Sequence, residues 1–535
     1  MTDERGGAVP ERLWWRDGVL YQVYPRSFAD GNGDGIGDLR GVIDHLDHLA
    51  WLGVDGIWLN PTFPSPNADW GFDVSDYRGV DPALGTLADL DELIAAAAER
   101  DIRVLLDLVP NHTSDEHGWF VEAKGARDAP HRDWYVWRDP APDGGPPNNW
   151  KSIFGGPAWE LDEDSGQYYL HIFHPKQPDL DWWNDAVRAE FEEILGYWYD
   201  RGIAGFRIDV AHGIVKDREL RDNPEAREDD ASVYRWMGQR PEFSMQRPEV
   251  HDVFRRWREI STARDPERVL VGETVVHDVE TLVTFYGTGV DELHLAFNFV
   301  FLHGEFTAET LAPVVAKTEE LMPPQAWPVW TLGNHDVTRF ATRWADGDER
   351  RVRLALMLLL TLRGTPVLYY GDEIGMGEAE IPEDRVVDPV GLLRDSRRHG
   401  RDGARTPMPW TGGPGAGFTA AGVEPWLPFG DASVNVADQR ADPSSVLHLV
   451  RDLIAFRRAD DALRAGPYVP LDAPEGAWAF RRGDRVAVAL NLSNEPVTVP
   501  GVSGRSEIAT DRARDGEALD GRVELGPWEG VVAIT

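Results

Sequence analysis

The chain is expected to fold as an α/β protein: a (β/α)8 TIM barrel with an inserted subdomain after strand 3 and a C-terminal antiparallel β-sandwich. Three observations predict this. Short apolar segments alternate with amphipathic helical stretches through most of the 535 residues, the pattern of a parallel sheet covered by helices. Eight such segments occur, the number that closes this kind of barrel. Four of them end in carboxylates or histidines, and in such barrels the active-site groups gather at the C-terminal strand ends.

The strands are read at 19–24, 56–59, 104–108, 206–209, 269–273, 294–297, 328–332 and 367–370. Between the first two, Val42, Ile43, Leu46, Leu49 and Leu52 recur at helical spacing and Gly53 ends the helix. Leu87, Leu90, Leu93, Ile94 and Ala97 repeat the device after the second strand. The interval between strands 3 and 4 is far longer than a crossover helix needs and is rich in Trp and Pro, so it reads as an insertion over the barrel mouth. The expected domains are therefore 1–110 (barrel, first part), 111–184 (inserted subdomain), 185–464 (barrel, second part) and 465–535 (β-sandwich). The polar stretch 216–230 predicts a mobile rim, and 446–464 the last barrel helix. Short alternating segments at 477–480, 486–492, 497–499 and 531–534 supply the sandwich strands.

Composition excludes several function classes. With 92 acidic against 54 basic residues the net charge is −38, which repels a phosphate backbone and argues against nucleic-acid binding. No Cys is present, so disulfides, thiolate metal sites and thiol nucleophiles are ruled out. Residues 1–16 are polar with no apolar export core, and the longest apolar run, 354–362, is too short to span a bilayer. The expectation is a cytoplasmic protein with no membrane partner; oligomeric state is not encoded in any recognisable segment. Neutral ligands suit the field. The 22 Trp, 13 Tyr and 20 Phe supply core and, for a minority, flat platforms for sugar rings.

The chemistry-bearing residues follow from strand geometry. Arg207 and Asp209 stand two apart at the end of an apolar strand and so project from one face. A guanidinium beside a carboxylate favours its charged form and lowers its pKa, which suits a nucleophile. Asp107 with Asn111 and His112, Glu273 after 269–272, and His335 with Asp336 after 329–332 complete the strand-end groups. Asp107, His112, His335 and Asp336 also raise a metal-dependent hydrolase, but they lack a compact ligand motif. The loop 30–38 sets oxygen ligands at alternate positions, with Asp30, Asn32, Asp34, the Ile36 carbonyl and Asp38 spaced as in a calcium loop; a metal-free acidic turn is the alternative.

The segments YQVYPRSF at 21–28, DLVPNHTS at 107–114, GFRID at 205–209, GE at 272–273 and NHD at 334–336 resemble, in order, the motifs of the α-amylase superfamily, glycoside hydrolase family 13. RDGARTPMPW at 401–410 is similar to a segment of its exo-acting α-glucosidase and oligo-1,6-glucosidase branch. The resemblance implies Asp209 as nucleophile, Glu273 as general acid/base and Asp336 as the third carboxylate. It further implies His112 and His335 as donors to sugar hydroxyls. Asp73 and Arg401 would form a salt-bridged pair at the far end of the pocket, with Phe72 as a platform where the family usually has Tyr. Relatives hold calcium or magnesium at the first loop; no organic cofactor is implied. The expected substrate is a small oligosaccharide or glucoside, cleaved with retention to release terminal nonreducing α-glucose. Val210 after the nucleophile points to α-1,6 substrates, whereas Ala211-His212-Gly213 looks like α-1,4-acting members; α-1,4 is favoured. The alternatives are an α-1,6-preferring oligoglucosidase, a transglucosidase or an isomerase such as trehalose synthase. A non-catalytic sugar-binding relative is a further one, against which both carboxylates stand.

Overall fold

The computed structural model describes residues 12–230, 232–393 and 400–535. Most of the polar stretch 1–16, read above as carrying no export signal, lies outside the described residues. Eight parallel strands form the barrel: β1 (Leu20–Val23), β2 (Gly56–Leu59), β3 (Arg103–Leu108), β7 (Gly205–Ile208), β8 (Val269–Gly272), β9 (Leu295–Ala296), β10 (Val329–Thr331) and β11 (Thr365–Tyr369). They run in the order β10-β11-β1-β2-β3-β7-β8-β9, and a parallel bridge between Phe297 and Val329 joins the two ends. Each coincides with a segment anticipated from the sequence, because a strand covered by helices must be apolar on both faces.

Two cores result. Leu20, Trp58, Leu105, Val269, Leu295, Val329 and Val367 fill the barrel interior, while a larger cluster lies between sheet and helices. The inward rows change character along the strands. Leu105 is followed two residues on by Asp107, and Val271 by Glu273, so the interior is apolar below and charged at the C-terminal rim. In the β3–β7 pairing Leu105 faces Gly205 and Asp107 faces Arg207. Gly205 is needed there, since any Cβ would collide with the Val269 carbonyl.

The helix expected over 42–52 is present but divided into Leu39–Asp44 and Leu46–Leu52, and Gly53 ends it in the left-handed conformation at φ 93°. The helix expected over 446–464 is also broken. Val446–Ala459 ends where Asp460 turns its carboxylate onto the amides of Ala462 and Leu463 to start Asp461–Ala465.

Between β3 and β7 lies a three-stranded antiparallel sheet of β4 (Trp137–Arg138), β5 (Trp159–Asp162) and β6 (Gln167–Leu170), with its own core around Trp150, Trp159 and Ile172. The stretch expected to begin a mobile rim at Lys216 is anchored instead. Lys216 is buried, with Nζ 2.6 Å from Asp179 and bonded to Asn111. Two carboxylates near a buried ammonium fix it there; burial lowers its pKa and Asp179 and Asp181 oppose that.

The C-terminal unit has a six-stranded antiparallel sheet of β12 (Tyr468–Leu471), β13 (Ala477–Arg482), β14 (Val486–Asn491), β16 (Gly504–Ala509), β17 (Ala518–Leu519) and β19 (Gly530–Ile534). A two-stranded layer of β15 (Val497–Pro500) and β18 (Arg522–Leu525) covers one face, and a small apolar core of Ala, Val and Leu lies between. The other face joins the main core through Trp478, Phe480 and Val488. Buried Arg457 and Arg482 donate to the carbonyls of Leu360, Leu362 and Thr361, satisfying the open end of the helix Glu349–Thr361.

Candidate active site

The charged rim converges on Arg207. Its Nη1 donates to Asp107 Oδ1 at 2.8 Å and to Asp209 Oδ1 at 2.7 Å, and its Nη2 lies 3.1 Å from Glu273 Oε2. The guanidinium packs over Trp58, whose Nε1 donates to the other oxygen of Asp107. The chain turns sharply after the nucleophile candidate: Val210 sits at φ 46°, a strained conformation for a β-branched residue, and its N–H donates to Glu273 Oε2 at 2.8 Å. Asp209 and Glu273 are 6% and 8% exposed, and both face one cavity of about 340 Å³. That volume is in the range of small-molecule sites, about 300–1,000 Å³.

This corrects the expectation that Arg207 lowers the Asp209 pKa below its ordinary value. Arg207 does not serve Asp209 alone, and Glu273 is not left without a cationic partner. One cation is divided among three carboxylates, so burial pushes Asp209 up, with Arg207 opposing and Glu273 and Asp107 adding to the rise. Asp107 is pushed up by burial to about 7, again against Arg207. Fully ionised, the four groups would carry a net double negative charge away from water, so the cluster favours holding a proton at neutral pH.

Arg401 gathers the second group of carboxylates. Its Nη2 donates to Asp69 Oδ1 at 2.6 Å and Asp388 Oδ1 at 2.7 Å, its Nε to Asp388 Oδ1 at 3.0 Å, and its Nη1 to Asp336 Oδ1 at 3.0 Å. The expected Asp73–Arg401 pair is therefore wrong. Trp70 at φ 50° and Gly71 at φ 107° reverse the chain, leaving Asp69 on the cavity wall and Asp73 facing its own loop. There Asp73 accepts from Ser65 Oγ, Ala68 N and Asp69 N at 2.8, 2.8 and 2.9 Å.

Sequence reasoning also missed Asp388 and Arg405. Arg405 is fully buried and donates to His335 O and to Asp336 Oδ1. Burial alone would raise Asp336, but the permanently charged Arg401 and Arg405 outweigh it and hold the carboxyl well below the usual range. Burial likewise opposes Asp388, and Arg401 with Arg405 bring it down to about 2.

Of the other expected residues, Phe72 and His112 line the cavity. His112 Nδ1 faces Asn111 Nδ2 at 3.0 Å and its Nε2 lies 3.0 Å from Phe72 O and 3.1 Å from Gln177 Nε2; burial lowers the ring to about 4, keeping it neutral. His335 lies behind the wall, stacked on Phe72 at 5.1 Å and 2°. Its Nδ1 accepts from Gln22 Nε2, so Nε2 carries the proton 3.2 Å from Asp336 Oδ2. Burial holds this ring neutral as well.

The first loop fits a cation in part. Asp30 accepts from the amides of Gly33 and Gly35, Asn32 from Asp34 N, and Asp34 from Ile36 N, so these side chains turn into the loop. Gly35, at φ 93°, occupies the sixth position, where such loops turn sharply. Asp38 instead caps the helix Leu39–Asp44 through Gly41 N, and among the described residues no group of three or more acidic or His side chains is arranged to hold an ion.

With this geometry in place, the comparisons decide the family. The sequence matches "Alpha amylase, catalytic domain" over residues 22–466 and a domain of unknown function over 464–532. The chain belongs to the α-amylase superfamily, glycoside hydrolase family 13. A probable α-glucosidase of Rhizobium meliloti (strain 1021) is 41% identical over 97% of this chain and 96% of its own length. An oligo-1,6-glucosidase of Heyndrickxia coagulans is 37% identical over 91% and 93%. Among solved structures, an alpha-glucosyl transfer enzyme matches with TM-score 0.92 and 39% identity, over 98% of this chain and 100% of that one. As a member of this family the protein is a glycosidase. Among the described residues no helix is long and apolar enough to cross a membrane.

Proposed function

We propose that the protein is a retaining, exo-acting α-glucosidase that releases terminal nonreducing α-glucose, from α-1,4-linked substrates by preference, by double displacement. One observation carries the reading: Asp209 and Glu273 flank a single guanidinium at a cavity whose wall holds Arg401, Asp69 and Asp336, with buried Asp388 behind Arg401. Two carboxylates so close suit the retaining spacing of about 5–5.5 Å. Asp209 would attack the anomeric carbon while Glu273 transfers its proton to the leaving glycosidic oxygen, breaking the C1–O bond and leaving a glucosyl ester on Asp209. Glu273 then takes a proton from water, whose oxygen displaces Asp209 with a second inversion. Asp336, kept anionic, would stabilise positive charge at the anomeric carbon, and Asp69 with Arg401 would grip hydroxyls of the terminal sugar.

Asp209→Ala or Glu273→Gln should abolish hydrolysis of 4-nitrophenyl α-glucoside while the protein stays folded, and proton NMR of the wild-type reaction should show α-glucose first. Robust turnover in either variant, or β-glucose as first product, would reject the assignment. Transfer of glucose to a second alcohol is the alternative, and one feature of the cavity supports it. Phe154, Phe173, Met245, Val275 and Phe299 make much of the cavity wall apolar, which disfavours water and admits an organic acceptor.

A structural Ca²⁺ or Mg²⁺ at Asp30, Asn32, Asp34 and the Ile36 carbonyl belongs to the same proposal, supported by the inward side chains and Gly35, with Asp38 able to join only through the carboxylate oxygen that does not cap the helix. Bound-metal analysis should find about one ion per chain, and chelation should lower the melting temperature without changing the rate at permissive temperature. A metal-free protein with an unchanged melting temperature would exclude it.

A further inference from the structure

The cavity has two chemically different ends. Near Arg401 every polar side chain is already tied to another, as expected of a wall shaped for one sugar. Beyond Glu273 the wall comes from the segments after β8 and β9. In the first, Glu273, Val275 and His277 alternate toward the cavity while Val276 is buried behind them. In the second, Phe299 and His303, one helical turn apart, face the same space.

His277 and His303 stand out among the lining groups. Both are exposed, and among the described residues neither ring nitrogen has a hydrogen-bond partner. Their contacts are aromatic only: His277 meets Tyr234 edge-on at 4.7 Å and His303 packs on Phe299 at 5.7 Å. The other polar groups on this side are occupied. His212 Nδ1 lies 3.3 Å from Glu273 O and from Val275 N, and Tyr234 OH accepts from Gln246 Nε2. Although both rings open on the cavity, the surrounding protein desolvates them: this lowers His303 to about 4, with Arg343 and His277 adding to the fall, and lowers His277, so both are neutral at pH 7. A neutral imidazole offers one donor and one acceptor, which suits the vicinal hydroxyls of a pyranose. Val275, Phe299 and Val337 beside them can cover the sugar's C–H face.

We propose that His277 and His303 form the subsite for the leaving sugar, and for an accepting sugar when glucose is transferred, so that they select carbohydrate over other leaving groups. This rests on the glucosidase reading above and adds to it the residues that recognise the second ring. The test compares His277→Ala, His303→Ala and the double variant on maltose and on 4-nitrophenyl α-glucoside, whose aryl group needs no hydroxyl partner. Each loss of a neutral hydrogen bond should lower kcat/KM on maltose by about three- to tenfold, with nitrophenyl glucoside changed by less than about twofold. His303→Asn, which keeps a donor and an acceptor, should recover part of the loss. Equal losses on both substrates, or an unchanged rate on maltose, would overturn the subsite while leaving the glucosidase reading intact. A wild-type protein inert on both substrates would overturn the glucosidase reading and the subsite together.

Discussion

The two aspartates of the turn 69–73 make opposite predictions. Asp69 gives Arg401 a 2.6 Å charge-assisted contact on the cavity wall, while Arg401 keeps Asp336 and two bonds to Asp388 without it. Asp69→Asn should therefore leave the fold intact and weaken the grip on the terminal sugar. A hydrogen bond to a charged group is worth about 1.5–3 kcal/mol. Expressed in the transition state, that lowers kcat/KM by about ten- to 150-fold. Asp73 is wholly buried and accepts three donors from its own loop, so Asp73→Ala leaves Ser65 Oγ, Ala68 N and Asp69 N unmatched. Each orphaned donor costs about 1–3 kcal/mol, reduced where water enters, so a total of about 2–5 kcal/mol is expected. The assay pairs steady-state kinetics on 4-nitrophenyl α-glucoside with urea unfolding. Asp69→Asn should show a large kinetic loss and an unmoved midpoint, and Asp73→Ala a lowered midpoint. If Asp69→Asn kept full activity while Asp73→Ala lost it with an unchanged midpoint, the assignment of Arg401 to Asp69 would be refuted.

Asp388 titrates at about 2 in the fold against 3.8 for the free side chain, so its contribution of about 2 kcal/mol is present above pH 4 and is lost as pH falls toward 2. Thermal unfolding of wild type and Asp388→Asn, compared from pH 6 to pH 2.5, should show the wild-type advantage shrinking at the acid end. Lys216→Met leaves the buried Asp179 carboxylate without its cation and should cost about 3 kcal/mol in urea unfolding, with most of it regained in the double variant carrying Asp179→Asn. Glu273→Gln should slow maltose turnover far more than that of a dinitrophenyl or fluoride leaving group, and equal loss on all of them would remove Glu273 from proton transfer.

What the sequence discloses and what it conceals divide along a physical line. Strand position is legible because a barrel strand is apolar on both faces up to its charged C-terminal end, and 104–108 or 269–273 hardly admit another reading. Which residues share a face is legible from the period of two, and it places Arg207 and Asp209 together correctly. The sharing of one cation is not. Asp107 reaches Arg207 because the β3–β7 register sets them side by side, a fact about two strands a hundred residues apart, and it removes part of the charge that spacing alone would assign to Asp209. Asp69 was hidden for a local reason: in an acidic turn the choice between positions 69 and 73 depends on the backbone at Trp70 and Gly71, where a left-handed pair reverses which carboxylate faces the cavity. Asp388 and Arg405 meet Arg401 and Asp336 only through tertiary packing, and no periodicity announces them. The helix break at Asp460 belongs to the same class, since side-chain capping competes with continuation at a position whose apolar spacing is otherwise unbroken. The inference that follows concerns charge. In a site where two arginines each serve three carboxylates, the protonation state of any one depends on the whole set, so replacing Asp69 or Asp107 should shift the pH profile of the reaction as well as its rate.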